Sequence, residues 1–441
     1  MKVPVLLFAA GLTAVLDASL VAAQDASVNA NIEVAGAGRI PRPPPNRVPG
    51  KVAAAWYAGW HAGEADFPLS RVPWSKYTVL TYAFAETTPD VRRLDIEGSS
   101  PETLPRFVRE AKRHNVKALI SVGGWTGSRF FSTAVATPQN RTAFVKTVID
   151  FVRRYDLDGV DFDWEYPNSQ GIGCNTINSA DTANFLLYLQ ELRRDPLGAR
   201  IIVTAATATR PFTGPNGTPS TNVAPFARVL DYVALMNYDI WGPWSPTVGP
   251  NAPLNDTCAA PENRAASGVS AVQSWNAAGI PLDQLVLGVP GYGHGFRVRR
   301  NQAFVSGSNR TLKPHPSFDN VDRPMGDSWD SGAAIDVCGV MNPPGGNFNF
   351  WGLIANGFLK RDGTPAPGIA YRYDSCSQTP YVYNATTEIM VSYDNAQSFA
   401  AKGNFIRSLG LKGFAMWEAG GDTDNILLDS IRSSAGFRTR P

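Results

Sequence analysis

From about residue 52 onward, short runs of β-branched and aromatic residues alternate with stretches whose apolar positions recur every three or four residues. The first pattern predicts strands and the second predicts helices. Eight strands follow, over 52–60, 77–85, 116–123, 157–164, 200–207, 231–238, 285–291 and 412–417. Most are near-continuous apolar runs, as expected of parallel strands covered on both faces. The clearest helix is expected over 138–155, where Phe144, Val148, Val152 and Tyr155 share one face while Arg141, Lys146, Arg153 and Arg154 take others. Further helices are expected over 101–114, 181–194 and 262–278.

Eight strand and helix alternations predict an α/β fold of the closed (β/α)8 TIM barrel type, with its active site in the loops at the carboxyl ends of the strands. A doubly wound open sheet is the second choice. The seventh and eighth strands are separated by far more than one helix, and this interval holds strand-like pieces at 370–373 and 380–383 with Gly- and Pro-rich connections. It reads as an α+β insertion subdomain over 294–390, standing beside the mouth of a barrel that spans 52–435. Before the barrel, 24–51 contains Pro41-Arg42-Pro43-Pro44-Pro45 and reads as an extended arm. Residues 1–23 read as a secretory signal, with Lys2, an apolar stretch over 3–15 and the small residues of Val21-Ala22-Ala23 at a cleavage site.

Composition narrows the function. The 441 residues carry 40 Lys+Arg and 38 Asp+Glu, a net +2, which gives no electrostatic grip on nucleic acid or anionic lipid. The four cysteines, Cys174, Cys258, Cys338 and Cys376, show no C-x-x-C spacing, so structural disulfides are expected, with three pairings open. Asn140, Asn216, Asn255, Asn309 and Asn384 each open an acceptor triplet for N-linked sugars, which adds to the expectation of a secreted, extracellular monomer. His61, His114, His294 and His315 lack zinc-site spacing, and neither a metal nor another cofactor is expected.

The chemistry concentrates in Asp158-Gly159-Val160-Asp161-Phe162-Asp163-Trp164-Glu165-Tyr166, at the end of the fourth strand. Alternate strand residues share a face, so Asp161, Asp163 and Glu165 are expected to project into one space, about 6.6 Å apart at successive steps. Like charges buried this close raise at least one pKa, and an acid kept protonated near neutrality can protonate a leaving oxygen. Glu165 is placed for that task, with Asp163 orienting it and sharing a proton with Asp161. A solvated acidic strand end and a hard-metal site are the competing readings, disfavoured by the interleaved Val160, Phe162 and Trp164. Aromatic residues after strand ends, namely Trp56, Tyr57, Trp60, Trp125, Trp241, Trp244 and Tyr292, are candidates to line a binding cleft by stacking or to pack in the core.

These residues resemble the chitinase-type family 18 glycoside hydrolases. The family's D-x-x-D-x-D-x-E is matched by Asp158, Asp161, Asp163 and Glu165, and its S-x-G-G by Ser121-Val122-Gly123-Gly124. Its M-x-Y-D is matched by Met236-Asn237-Tyr238-Asp239 and its eighth-strand tryptophan by Trp417, over a likeness running from Val52 to Arg432. Tyr393-Asp394 and Ser398 look like the family's return into the barrel. The resemblance implies hydrolysis of chitin or chitooligosaccharides in which the sugar's own N-acetyl carbonyl is the nucleophile. It assigns catalysis to Glu165, Asp163, Asp161, Tyr238 and Asp239, and substrate contacts to Trp417, Met236, Tyr57, Trp125 and Gly124. His294 stands where many relatives carry an arginine. A chitin-binding protein without turnover and an endo-acting enzyme on N-glycan cores are the alternatives.

Overall fold

The computed structural model describes residue 48 and residues 50–437. The expected signal lies outside the described residues, as does the expected arm apart from residues 48, 50 and 51. Eight parallel strands form the barrel: Val52–Ala58, Val79–Thr87, Lys117–Gly123, Gly159–Asp163, Ile202–Thr207, Tyr232–Leu235, Leu285–Pro290 and Gly413–Trp417. The first strand pairs with both the second and the eighth, so the sheet closes on itself.

Strand periodicity sorts the residues into two layers. Val52, Ala54 and Trp56 of the first strand, Val79 and Ala83 of the second, Ile202 and Ala206 of the fifth and Ala415 of the eighth fill the interior. Ala53, Ala55, Tyr57, Leu80, Tyr82, Val160, Phe162 and Phe414 point outward into the apolar shell beneath the helices. Small residues dominate the interior, which leaves room there for polar side chains. Val48 packs into the same interior cluster, and Lys412 donates to its carbonyl at 2.9 Å.

The helix Pro138–Tyr155 starts where expected, because Thr137 accepts from the Asn140 amide and proline occupies the first turn. It buries Phe144, Val145, Val148, Ile149 and Val152. Arg141 is buried with them, one turn before Phe144, because its guanidinium donates to the Val135 carbonyl at 2.9 Å. The helix expected over 262–278 begins later, as Gly268–Ala277, because Ser267 forms a capping box with Ser270. Ala396–Leu409 and Ile426–Ser434, which the periodicity did not reveal, pack together after the insertion. Asn395 and Ser398 cap the first of them, and the buried Lys402 pairs with Asp394 inside it.

The insertion starts two residues earlier than the pattern suggests. Tyr292–Arg297 forms the second strand of a five-stranded antiparallel sheet ordered Asn347–Asn349, Tyr292–Arg297, Ile389–Ser392, Thr379–Asn384 and Ala370–Asp374. Phe296, Val298, Leu312, Tyr381, Tyr383 and Met390 give it a core of its own. Two disulfides fasten it to the barrel loops, Cys174 to Cys338 and Cys258 to Cys376. The first joins it to the loop that follows Glu165, the second to the loop that follows the sixth strand.

Candidate active site

Barrel register brings the polar interior residues to one level. Ser121 lies beside Asp161, and Asp161 beside Thr204, on neighbouring strands. Asp161 therefore accepts three hydrogen bonds, from Ser121 Oγ at 2.9 Å, Trp56 Nε1 at 3.1 Å and Thr204 Oγ1 at 2.5 Å. These donors favour its ionised form, yet burial still holds its pKa above the ordinary carboxylate value. Asp158, the first acid of the motif, is elsewhere: it pairs with Lys117 at 2.8 Å and accepts from the Ala118 amide at 3.0 Å.

Asp163 is buried, and its Oδ1 has no hydrogen-bond partner among the described residues. Burial, followed by the nearby charges of Glu165 and Asp161, pushes its pKa well above the usual range. No hydrogen bond links Asp163 to either neighbouring acid among the described residues; the coupling is through charge. Glu165 lies beyond the strand's last residue and keeps part of its surface open to the mouth. Burial raises its pKa to about 7, against a donated hydrogen bond from Tyr166 that lowers it and the charge of Asp239 that raises it.

The backbone around Glu165 is held by residues that the sequence reading missed. Its amide donates to Ser128 Oγ at 2.9 Å, and that hydroxyl donates to the Asp163 carbonyl at 2.9 Å. Asn175, next to the disulfide at Cys174, donates to the Glu165 carbonyl at 2.8 Å. Gly123 is required where the third strand meets this segment: its φ is +112°, and a Cβ would lie 2.2 Å from the Asp163 carbonyl oxygen. Gly124 is buried, with a Cβ position 2.8 Å from the Phe84 ring, so it serves close packing.

Across the mouth, Tyr238 follows the sixth strand, with its ring over Gly288, where a Cβ would come within 3.0 Å of it. Burial and the charges of Asp163, Asp239 and Glu165 keep its hydroxyl protonated. Asp239 has a left-handed backbone, and its amide donates to Asn251 Oδ1 at 2.8 Å. Its Oδ1 accepts from the Tyr292 hydroxyl at 2.7 Å and lies 2.7 Å from His294 Nε2. His294, which sequence reasoning marked only as a departure, is thus a buried partner of Asp239.

Trp417 ends the eighth strand and stacks on Phe84 at 5.4 Å and 18°. Trp56 and Trp60 stand 6.1 and 6.2 Å from it, and Met236 packs into the same interior cluster. Trp125 and Trp244 project at the surface, 51% and 60% exposed. Tyr57 is a correction. It points outward, 1% exposed, stacked on Phe107 and donating to the Phe67 carbonyl at 2.8 Å, because its neighbour Trp56 takes the inward position. Trp241 is also buried, against Gly249, rather than lining the mouth.

The site thus combines a part-buried Glu165 raised to about 7, a buried Asp163 raised well above the usual range behind it, Tyr238 and Asp239 opposite, and Trp417 at the end of the eighth strand. Comparison with known proteins gives the family. The family description "Glycosyl hydrolases family 18" matches residues 52–422. A chitinase-like effector of Moniliophthora roreri is 54% identical over 387 residues, covering 88% of this chain and 93% of that protein. Chitinase A1 of Niallia circulans is 32% identical over 334 residues, 72% of this chain and 42% of that protein. Among solved structures, the chitinase RmChi1 of Rhizomucor miehei superposes with a TM-score of 0.78 at 32% identity, covering 87% of this chain and all of that one. A class V chitinase from Nicotiana tobaccum, solved as a mutant in complex with NAG4, gives 0.67 at 25% identity over 88% of this chain and 99% of that one. The chain belongs to the family 18 glycoside hydrolases.

Proposed function

We propose that this chain is a secreted chitinase that hydrolyses β-1,4 bonds between N-acetylglucosamine units with retention, using the substrate's N-acetyl group as nucleophile. The observation that carries the reading is the Glu165 carboxyl, raised to about 7 just past the end of the fourth strand and within charge range of Asp163 and Tyr238. In the first step Glu165 donates its proton to the glycosidic oxygen while the acetamido oxygen attacks the anomeric carbon, so the carbon–oxygen bond breaks as the oxazolinium ring closes. Asp163, whose Oδ1 is unengaged, accepts from the acetamido N–H of that ring, and Asp161 stays fixed by its three donors. The protonated Tyr238 hydroxyl and Asp239 hold the acetamido group in attack geometry. In the second step the Glu165 carboxylate takes a proton from water as the water oxygen bonds to the anomeric carbon and the ring's carbon–oxygen bond breaks, which restores the acetamido group and the protonated acid.

Trp417 forms the apolar floor, stacked on Phe84, with Met236 packed against the same interior cluster; Trp125 lines the open side, and Gly124 sets the strand end. Two disulfides support passage through an oxidising compartment, and among the described residues no helix is long and apolar enough to cross a membrane. The leader over 1–23, the five glycan acceptors and a monomeric state belong to the same reading.

The test compares N-acetylglucosamine oligomers with glucose oligomers. Cleavage of the former alone is expected, and Glu165→Gln is expected to abolish turnover while oligomer binding stays measurable. Efficient cleavage of glucose oligomers, or turnover by the variant, overturns the mechanism. A second reading, chitin binding without turnover, is favoured by relatives named chitinase-like effectors at 54% and 52% identity. It predicts that the wild-type chain binds the oligomers and leaves them intact.

A further inference from the structure

A second cavity, of about 550 Å³, opens on the flank where the loop after the first strand, the loop after the eighth strand and the insertion meet. Phe67 and Arg71 line it from the first loop, Gly420 and Asp424 from the second, and Trp329 and Trp351 from the insertion. The two indoles meet at 74° with centroids 5.0 Å apart, which makes a corner with a floor and a wall. Trp329 is held in place at both ends. Its Nε1 donates to Asp66 Oδ1 at 3.1 Å, and a Cβ on Gly420 would lie 2.9 Å from the indole and 3.1 Å from the Phe67 ring. That close approach fixes the corner to the segment that directly follows Trp417.

Ring contacts run without a gap from the catalytic floor to this corner. Trp417 meets Trp60 at 6.2 Å, Trp60 meets His61 at 5.8 Å, and His61 meets the edge of Trp329 at 3.7 Å. We propose that the cavity is a distal saccharide subsite, which holds an N-acetylglucosamine unit of the same polymer chain that is cleaved at Glu165. The proposal rests on the chitinase reading and adds a preference for long chains. An indole plate suits the C–H face of a pyranose, and the exposed Arg71 and Asp424, the first held by the Asp66 carbonyl at 2.7 Å and the second 3.5 Å from Arg361, keep their remaining donors and acceptor oxygen for its hydroxyls. Acidic and basic groups are mixed, which suits an uncharged ligand better than an anion or a cation. Asp422 is already spent on the amides of Thr423, Leu427 and Leu428, so it caps the last helix and holds no metal.

The experiment measures binding of N-acetylglucosamine trimer and octamer by calorimetry to Glu165→Gln, alone and combined with Trp351→Ala or Arg71→Ala. In parallel, kcat/KM is measured on a short aryl chitobioside and on the octamer with Glu165 intact. The octamer is expected to bind more tightly than the trimer, and Trp351→Ala to remove that gain, about tenfold. Trimer binding and aryl chitobioside turnover should stay within twofold of the parent. Arg71→Ala, in the loop after the first strand, should give a smaller loss of the same kind and covers the case in which the tryptophan variant fails to fold. Equal loss for trimer and octamer, or no loss for either, overturns the subsite. Absence of turnover by the wild-type chain on every substrate would overturn the catalytic reading while the calorimetry still decides the subsite.

Discussion

Replacing Glu165 by glutamine should raise stability as well as abolish hydrolysis, and the size of the gain should depend on pH. In the folded chain the carboxyl titrates at about 7, against 4.5 for an unperturbed glutamic acid. A raised carboxyl binds its proton more tightly when folded, so its contribution is favourable below the unfolded pKa and is lost as pH rises through the folded one. At pH 5 the wild-type side chain is protonated in the fold and costs under about 1 kcal/mol, whereas by pH 8 the difference reaches roughly 3 kcal/mol. Glutamine stays neutral and can still accept from Tyr166, so it escapes that cost. With about 2.1 cal/mol/K of unfolding entropy per residue, a chain of this size shifts by about 1 °C per kcal/mol. Thermal unfolding of both proteins from pH 5 to pH 8 should therefore show a gap that widens by a few degrees in favour of the variant. A gap that is constant with pH, or that favours the wild type at pH 8, would refute the assignment of a buried, protonated acid at this position. The same group sets the alkaline limb of activity: kcat should fall as pH passes through about 7, where the acid loses its proton.

Gly123→Ala should cost on the order of 3 kcal/mol or more, because the added methyl meets the Asp163 carbonyl at 2.2 Å in a left-handed backbone. Denaturant unfolding checks it, and a loss under about 0.5 kcal/mol, the scale of an ordinary surface substitution, would count against the close approach. Cys174→Ser opens a bridge between positions 164 residues apart, for which chain entropy gives about 5 kcal/mol at most, so a loss of roughly 2 to 5 kcal/mol is expected. It should also lower kcat, since Asn175 holds the Glu165 carbonyl, whereas Cys258→Ser should lower stability with less effect on turnover. Trp417→Ala should reduce kcat/KM on oligomers by about a hundredfold, on the order of 3 kcal/mol of lost transition-state contact. An unchanged value would remove the indole from the site.

Much of the barrel was legible because a strand buried on both faces must be apolar throughout, and eight such runs stand out against amphipathic helices. The same property hides which residue faces inward. Trp56 and Tyr57 are neighbours of similar character, and only closure of the sheet decides that Trp56 reaches Asp161 while Tyr57 meets Phe107. The acids were legible for the opposite reason: polar residues at alternate positions within an apolar run declare a shared face. Glu165 departs from that logic, because the strand stops at Asp163. Ser128 and Asn175, which fix Glu165, come from loops with no periodicity to mark them. His294 carried a faint signal as an unusual residue after Tyr292-Gly293, but its partner, Asp239, lies 55 positions away and is found only through the fold. The insertion hid its first strand because Tyr292–Arg297 follows the seventh barrel strand after a single residue.

The distribution of protons around the mouth follows from which acids the fold has chosen to satisfy. Asp161 receives three donors, whereas Asp163 receives none at Oδ1 and is pushed well above its ordinary range. Glu418, next to Trp417, is raised to about 8 by burial, while His61, 3.9 Å away, is lowered to about 4 by the same cause. At neutral pH that pair is therefore an uncharged acid beside an uncharged imidazole, and the 3.9 Å separation is not an ion pair. The ground behind the indole floor is electrically quiet as a result. Glu165, at about 7, lies between His61, lowered to about 4, and Glu418, raised to about 8. Under the proposed mechanism Glu165 gives up a proton in one step and recovers it in the next, which calls for a pKa near neutrality, and burial raises it to about 7.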